Sequence, residues 1–256
     1  MNISHLEIRG DFQGELALVS RDSRKCDEHT VFAAIRGEKN DGHDFVPNAY
    51  AHGARAFIVE KECGLPCDCT QIIVENSRKA LAEAALFFAG HPEKKMRFVA
   101  VTGTKGKSTT AAMIYKILSY SGIDACLIGT NGLKYKNLEY NTENSTPDIT
   151  VTARFLGESA AHGCKIAVIE ASSQGIKQNR LFGLDFDLGI MTNLSADHIG
   201  KGEHPDFEDY ENSKMKLFES CKTAIFNTDD ERCAELCERE NHKTFGIFSP
   251  ADAHAD

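Results

Sequence analysis

The run Arg97-Phe98-Val99-Ala100-Val101-Thr102-Gly103-Thr104-Lys105-Gly106-Lys107-Ser108-Thr109-Thr110 decides the fold. Within it, Phe98 to Thr102 is an apolar strand of the kind buried in a parallel sheet. Glycine, lysine and serine follow at once, and Ser108 to Tyr120 then carries helical spacing. A strand that turns through glycines into a helix brings backbone N–H groups round toward a phosphate, because no Cβ blocks them. The helix N-terminus adds partial positive charge at the same point. Gly103, Thr104, Lys105, Gly106, Lys107, Ser108 and Thr109 are therefore the expected nucleotide-binding residues. Lys107 is placed to reach the outer phosphates, and the Ser108 hydroxyl to reach Mg²⁺. The general phosphate-loop pattern has a glycine five residues before Gly106, where this sequence has Val101.

Around that junction the chain alternates strand and helix. The expected strands are Phe98 to Thr102, Ala125 to Ile128, Ile166 to Glu170, Leu188 to Thr192 and Ala224 to Asn227, with a strand-like run at Thr244 to Phe248. Helical spacing recurs at Ile149 to Ala161. This order predicts an α/β class with a mostly parallel sheet covered on both faces. Ligands of such sheets sit beyond the carboxyl ends of the strands, which directs attention to Gly103, Gly129, Glu170 and Asn193.

The first 95 or so residues read as a separate small α/β unit. Strands are expected at Val31 to Ile35, Ala56 to Val59 and Gln71 to Val74. A turn is expected at Asp41-Gly42-His43 and a short helix at Pro47 to His52. Ser77 is read as the cap of a helix with Leu81, Ala84, Ala85 and Phe88 on one face. Gly90-His91-Pro92 stops that helix, and a solvated linker follows. The expected domains are thus 1–95 and 96–256.

Composition narrows the function. The 256 residues include 41% hydrophobic and 26% charged side chains, an ordinary globular balance. The net charge of −9 gives no general attraction to nucleic acid or anionic membranes. No apolar run approaches the ~18 residues a membrane span needs, and the first residues show no secretory pattern. Nine cysteines without a regular framework fit reduced thiols in the cytoplasm. Cys63, Cys67 and Cys69 lack an evident fourth zinc ligand, so free loop cysteines are expected. A regulatory GTPase is disfavoured, because its guanine-reading motif needs an Asn-Lys pair and none occurs.

The shortened loop Thr102 to Ser108 resembles that of the Mur ligases, the ATP-dependent enzymes that build the peptidoglycan stem peptide. Four more stretches are similar to the family: Asn144-Ser145-Thr146-Pro147, Glu170 to Arg180, Thr192 to His198, and Tyr210 to Phe218. Within the family, Asp22-Ser23-Arg24, Val31 to Gly37, Asp41-Gly42 and Gly53-Ala54 resemble the members that join a diamino acid to UDP-MurNAc-L-Ala-D-Glu. Departures are Gln174, where many members have histidine, and Gly200, where many have an acidic residue.

The resemblance implies a UDP-sugar-binding domain followed by an incomplete ATP-binding domain. Its implied chemistry activates a carboxylate as an acyl phosphate, which an amine then attacks. The implied cofactors are ATP and Mg²⁺, and the implied substrates are UDP-MurNAc-L-Ala-D-Glu and meso-diaminopimelate or L-lysine. Lys107 would hold phosphates, and Ser108 and Glu170 one Mg²⁺. His198 would hold a second, and Lys214 would be carbamylated and help position metal and substrate. Read without the family, Glu170 is equally an ordinary strand-end carboxylate and Lys214 a solvated helix lysine. Ser23, Lys39 and Asn40 would lie near the UDP portion. Asn144, Ser145, Thr146, Ser172, Gln178 and Arg180 would lie near the muramoyl-peptide, although turn and cap chemistry competes for each alone. The family pattern continues past Asp256 into a third domain that recognises the incoming amino acid. Weak nucleotide or UDP-sugar binding without completed ligation is therefore the expectation for this stretch by itself. Alternatives are another ligase of the superfamily, such as folylpolyglutamate synthase, or a non-catalytic nucleotide-binding fragment. A monomer is expected, with no nucleic-acid partner.

Overall fold

The structure is a computed structural model that describes residues 7–37, 40–197, 199–200, 204–237 and 242–254. The chain divides into two compact units. The first runs to His91 and takes in Ile149–Arg154; the second comprises Pro92–Asp148 and the chain from Phe155 onward.

In the first unit the described strands are β1 (Glu7–Arg9), β2 (Leu18–Ser20), β3 (Thr30–Ala33), β4 (Ala56–Val59) and β5 (Thr70–Ile73). They lie in the order β1-β5-β4-β3-β2, parallel except for β1. Side chains alternate across such a sheet. Phe32, Phe57 and Val59 pack with Val46 and Ala49 of helix α1 (Val46–Ala51). Helix α2 (Ser77–Phe88) covers β2, β3 and β4, burying Leu81, Ala84 and Ala85. Its cap is Asn76 and not Ser77: the Asn76 side chain accepts from the Lys79 amide at 3.0 Å. Ser77 is buried and instead gives its N–H and hydroxyl to Glu60. The expected linker after α2 is a 3₁₀ turn at Pro92–Lys94, with Lys94 and Lys95 exposed.

The second unit contains β6 (Arg97–Thr102), α3 (Lys107–Tyr120), β7 (Ala125–Gly129), β8 (Gly132–Tyr135), β9 (Leu138–Tyr140) and, from Phe155, the rest of α4 (Ile149–Ala161). They are followed by β10 (Ile166–Glu170), α5 (Ser173–Lys177), β11 (Phe186–Met191), α6 (Phe207–Met215), β12 (Cys221–Asn227), α7 (Glu231–Glu235), β13 (His242–Gly246) and β14 (Ala253–His254). The sheet order is β14-β13-β12-β11-β6-β10-β7-β8-β9; the β7–β8 and β8–β9 pairs are antiparallel and the others are parallel. Helix α3 seals one face: Ala111 packs with Val101, Leu127 and Val168 of three neighbouring strands.

Strand order explains why one crevice matters. The chain passes from β6 to β7 and β10 on one side, then crosses to β11 and β12 on the other. Order therefore reverses at β6, and crossovers leave opposite ways from its carboxyl end, opening a ligand crevice there. The short strands β1, β2, β8, β9 and β14 had no counterpart among the expected strands, because two to four mixed residues carry no readable period.

Leu127 is buried beneath α3. Its replacement by alanine is expected to destabilise the second unit by about 2–5 kcal/mol, read as a lowered urea midpoint with unchanged denaturant slope. A shift below ~1 kcal/mol would mean that this contact does not carry the core.

Candidate functional site

The crevice is built on one close approach. Gly103 has φ 141°, and a Cβ there would lie 2.0 Å from the Thr192 hydroxyl. Only glycine lets the β6–α3 loop sit against the end of β11. The Thr192 hydroxyl lies 2.7 Å from the Lys105 carbonyl. Asn193 pairs with Lys105 on both sides, accepting from its N–H at 2.9 Å and donating to its C=O at 3.1 Å. The Thr104 hydroxyl accepts from the Ser195 amide at 3.0 Å and from Tyr210 at 3.1 Å. These bonds fix the loop while leaving the start of α3 clear, since its cap Gly106 (φ 81°) supplies no side-chain acceptor. The first-turn amides thus remain donors for an anion.

Two lysines converge on one carbonyl. Lys107 Nζ donates to the Gly103 and Thr104 carbonyls, both at 2.8 Å. Lys214 Nζ, 1% exposed, donates to the Gly103 carbonyl at 2.9 Å and stands 4.4 Å from the Tyr210 ring centroid. Burial lowers the pKa of Lys107, against the pull of Glu170 and Asp197. Burial and then the Lys107 cation push Lys214 down to about 7, again against Asp197. Lys214 is therefore no solvated helix lysine: packing of α6 holds an amine that is partly neutral at physiological pH.

Glu170, 0% exposed, ends β10 on the other side of the loop. Its carboxylate accepts from Ser108 Oγ at 2.8 Å and from the Thr130 amide and hydroxyl at 2.9 and 3.1 Å. A Cβ on Gly129 would fall 2.0 Å from this carboxylate. A hydroxyl and a carboxylate beside uncapped amides are hard oxygen donors, and they suit Mg²⁺ that also takes phosphate oxygens. Among the described residues no group of three His, Cys, Asp or Glu side chains could hold a metal alone.

A second cluster adjoins Glu170 through the backbone. The Thr146 hydroxyl donates to the Glu170 carbonyl at 2.8 Å and accepts from the Ser172 amide at 2.9 Å. Ser172 caps α5 through the Gly175 amide. Arg180 donates to the Thr146 carbonyl at 2.7 Å and, by Nε and Nη2, to Gln178 Oε1 at 3.2 and 2.8 Å. Gln178 in turn donates to Gln174 Oε1 at 3.4 Å. Thr146, Ser172, Gln178 and Arg180 are thus brought together, with Asn144 exposed and Ser145 half-buried on the same loop as Thr146. In the first unit, Ser23 is buried in a 3₁₀ turn after β2, and Asn40 is exposed after β3. Lys105 and Thr109 are exposed on their loop and helix. Lys39 and His198 lie outside the described residues.

Several residues of the site carried no role in the sequence reading. Thr130 follows the flagged Gly129, so the strand-end rule was its only signal. Asn193 was flagged by the same rule without its pairing role. Asp209 of α6 takes Lys177 of α5 at 2.8 Å and the buried His204 at 2.6 Å, and these bonds hold it below the usual carboxylate range. It thereby ties α5 to α6. Cys69 is buried in the first core while Cys67 is exposed.

The Mur ligase middle domain model matches residues 101–256, and the Mur ligase family catalytic domain model matches residues 15–89. The chain belongs to the Mur ligase family. It is 34% identical to a UDP-N-acetylmuramoyl-L-alanyl-D-glutamate–2,6-diaminopimelate ligase of Clostridium acetobutylicum, over 99% of this chain and 53% of that protein. It is 33% identical to a UDP-N-acetylmuramyl-tripeptide synthetase of Oceanobacillus iheyensis, over 99% and 54% respectively. A solved diaminopimelate ligase of the same description superposes with TM-score 0.78 at 28% identity, covering 94% of this chain and 51% of its own. The chain spans about half the length of the curated relatives it matches.

In this Mur ligase the low Lys214 pKa has a testable sign. Between about 7 and the ordinary 10.5, the unfolded chain holds a proton that the folded chain has shed. Stability from this group therefore rises with pH across that window, and its full cost is felt below about 7. NMR of lysine labelled with ¹⁵N should give one Nζ titrating near 7, absent in Lys214→Met, which should also flatten the stability slope. A Lys214 midpoint above 9 would refute the buried neutral amine.

Proposed function

We propose that the chain supplies the UDP-sugar-binding and ATP-binding units of an acid–amino-acid ligase. The reaction adds a diamino acid, meso-diaminopimelate or L-lysine, to UDP-MurNAc-L-Ala-D-Glu in peptidoglycan synthesis. The observation that carries this reading is the crevice at β6: uncapped helix amides, two lysines on the Gly103 carbonyl, and the Ser108–Glu170 pair opposite. The names of relatives matched over nearly the whole chain support the same reaction over a folylpolyglutamate synthase.

The steps are those the family resemblance implies, placed on that geometry. ATP phosphates bind the Gly103 to Thr109 segment through the uncapped amides at the start of α3 and the Lys107 ammonium. A carboxylate oxygen of the substrate attacks the γ-phosphorus, the bond to the bridging oxygen breaks, and ADP leaves. The amine of the second substrate then attacks the acyl carbon, phosphate leaves, and the amine loses a proton. Phosphoryl transfer asks chiefly for positioning and charge neutralisation. Bound Mg²⁺ would neutralise phosphate charge, held by Ser108 and Glu170, with His198 assigned to a second ion. Lys214, partly neutral at its depressed pKa, is suited to add CO₂: the neutral nitrogen bonds the carbon and loses a proton, and an anionic carbamate replaces the amine. Asn144, Ser145, Thr146, Ser172, Gln178 and Arg180 are assigned to the muramoyl-peptide, where Arg180 offers paired donors to a carboxylate. Ser23, Lys39 and Asn40 are assigned to the UDP portion. The reading divides the chain into a UDP-sugar domain over 1–95 and an ATP domain over 96–256. It also makes the protein a cytoplasmic monomer without nucleic-acid or membrane partners. The net charge of −9 gives no general attraction to nucleic acid or anionic membranes, and among the described residues no helix is long and apolar enough to cross a membrane.

Calorimetry tests the reading. MgATP should bind the wild-type chain, and Lys107→Ala should weaken it roughly tenfold to a hundredfold by removing a charged donor. Glu170→Gln should abolish the Mg²⁺ dependence while leaving the fold intact. Equal ATP binding by wild type and Lys107→Ala would sink the assignment of this crevice.

A further inference from the structure

Helices α5 and α6 are joined through one carboxylate oxygen. Asp209 Oδ2 accepts from Lys177 Nζ at 2.8 Å and from His204 Nδ1 at 2.6 Å. Lys177 lies in the last turn of α5 and Asp209 in the first turn of α6, the helix ends whose partial charges favour a cation and an anion respectively. The two side chains are 34% and 33% exposed, and an ion pair so placed adds little stability by itself. His204 differs. Its side chain is 0% exposed, and among the described residues its Nε2 finds no hydrogen-bond partner. An unpaired buried nitrogen is costly. What holds the ring in place is the Nδ1 proton it gives to Asp209 and its edge-on contact with Tyr210, with centroids 5.2 Å apart.

The joint stands between two sets of side chains. On the α5 side, Asn179 turns the chain through a left-handed conformation at φ 55°, and the Arg180 amide returns to the Gly175 carbonyl at 2.9 Å. That turn comes directly after Lys177 and sets the point from which Gln178 and Arg180 project. On the α6 side, Tyr210 follows Asp209; its hydroxyl reaches Thr104 and its ring faces the Lys214 amine. Lys214, one helical turn further, reaches the Gly103 carbonyl. Helix α6 is thus anchored on the phosphate loop. The start of α5 is held through Ser172 and Thr146, and its last turn takes its bond to α6 from Lys177.

We propose that Asp209 is a positioning residue: with Lys177 it sets the last turn of α5, and so Gln178 and Arg180, against the helix that carries Lys214. What is positioned is the peptide end of UDP-MurNAc-L-Ala-D-Glu, an identity that rests on the function proposed above; the joint itself does not. A competing role for Lys177 is direct contact with the substrate as a cation. The two roles differ in sign for Asp209→Asn, which keeps an acceptor for His204 and removes the charge that Lys177 pairs with. Positioning by Asp209 makes this variant bind the peptide end more weakly. Direct contact makes it bind more tightly, because Lys177 is released.

The test compares wild type with Lys177→Met, Asp209→Asn, the double variant and Lys177→Arg, each verified as folded by circular dichroism. UDP-MurNAc-L-Ala-D-Glu, plain UDP and MgATP are titrated by calorimetry, and amide exchange is followed. Lys177→Met and Asp209→Asn should each bind UDP-MurNAc-L-Ala-D-Glu about threefold to fivefold more weakly, the scale of one partly exposed ion pair. The double variant should be no weaker than either single one, because both remove the same interaction. Lys177→Arg keeps the pair and should recover most of the affinity. Plain UDP and MgATP should bind every variant as they bind wild type. Exchange at the Gln178 and Arg180 amides should quicken in the weakened variants, with no change at Val101 or Ile169. Unchanged or tighter binding of UDP-MurNAc-L-Ala-D-Glu by Asp209→Asn overturns the proposal, as do additive losses in the double variant. An equal loss of MgATP binding also overturns it, since α6 itself would then have moved. Failure of the function appears separately, as a wild-type chain that binds UDP-MurNAc-L-Ala-D-Glu no more tightly than UDP. That outcome overturns the substrate assignment here, and amide exchange then decides the joint alone.

Discussion

The site depends on the absence of a single carbon atom. A side chain at Gly103 would collide with Thr192, and the loop after β6 could not lie against the end of β11. Because it does, Asn193 can read the Lys105 backbone from both sides, and Thr104 can accept from Ser195 and Tyr210. The loop is thereby held from outside, by residues about ninety positions later in the chain. The amides at the start of α3 are left for a ligand. A phosphate loop must present donors without satisfying them, and external bracing does that without a capping side chain at Gly106.

Charge follows from the same contact. With the Gly103 carbonyl fixed, Lys107 and Lys214 both reach it, and two cations so close cannot both hold their protons at little cost in a buried place. Lys214 is the more buried and yields. Glu170 lies across the loop with three donors on its carboxylate, an anion kept in a dry place by hydrogen bonds. The crevice thus sets cationic and neutral nitrogen on one side and anionic oxygen on the other. Nucleotide phosphates and a hard cation require that arrangement.

How much of this was legible in the sequence varies by residue. The strands β6, β7, β10, β11 and β12 were each found to within a few residues, because buried parallel strands are continuous apolar runs. Gly103, Glu170 and Asn193 were flagged by their places at strand ends, which needs only the strand assignments. The cap of α2 was misplaced by one residue, since Asn76 and Ser77 are both good caps and only the bond from the Lys79 amide separates them. Thr130 drew no notice: a threonine after a strand is common, and its value comes from Glu170, forty positions away. His43 looked like part of a turn because its partner Glu60 is supplied by the next strand.

What the sequence by itself determined is what depends on neighbours along the chain. These are the apolar periods that make strands and helices, the glycines that permit the β6–α3 turn, and the motif order that marks the family. Backbone conformation and local spacing are short-range properties, so they can be read residue by residue. Only the tertiary structure decided the strand order that puts β6 at the point of reversal. It likewise decided the pairing of Ser108 with Glu170 across 62 positions and the lowered pKa of Lys214. Each of these depends on burial and on charges brought together by distant segments, and a side chain's protonation state does not exist until that packing removes water from around it.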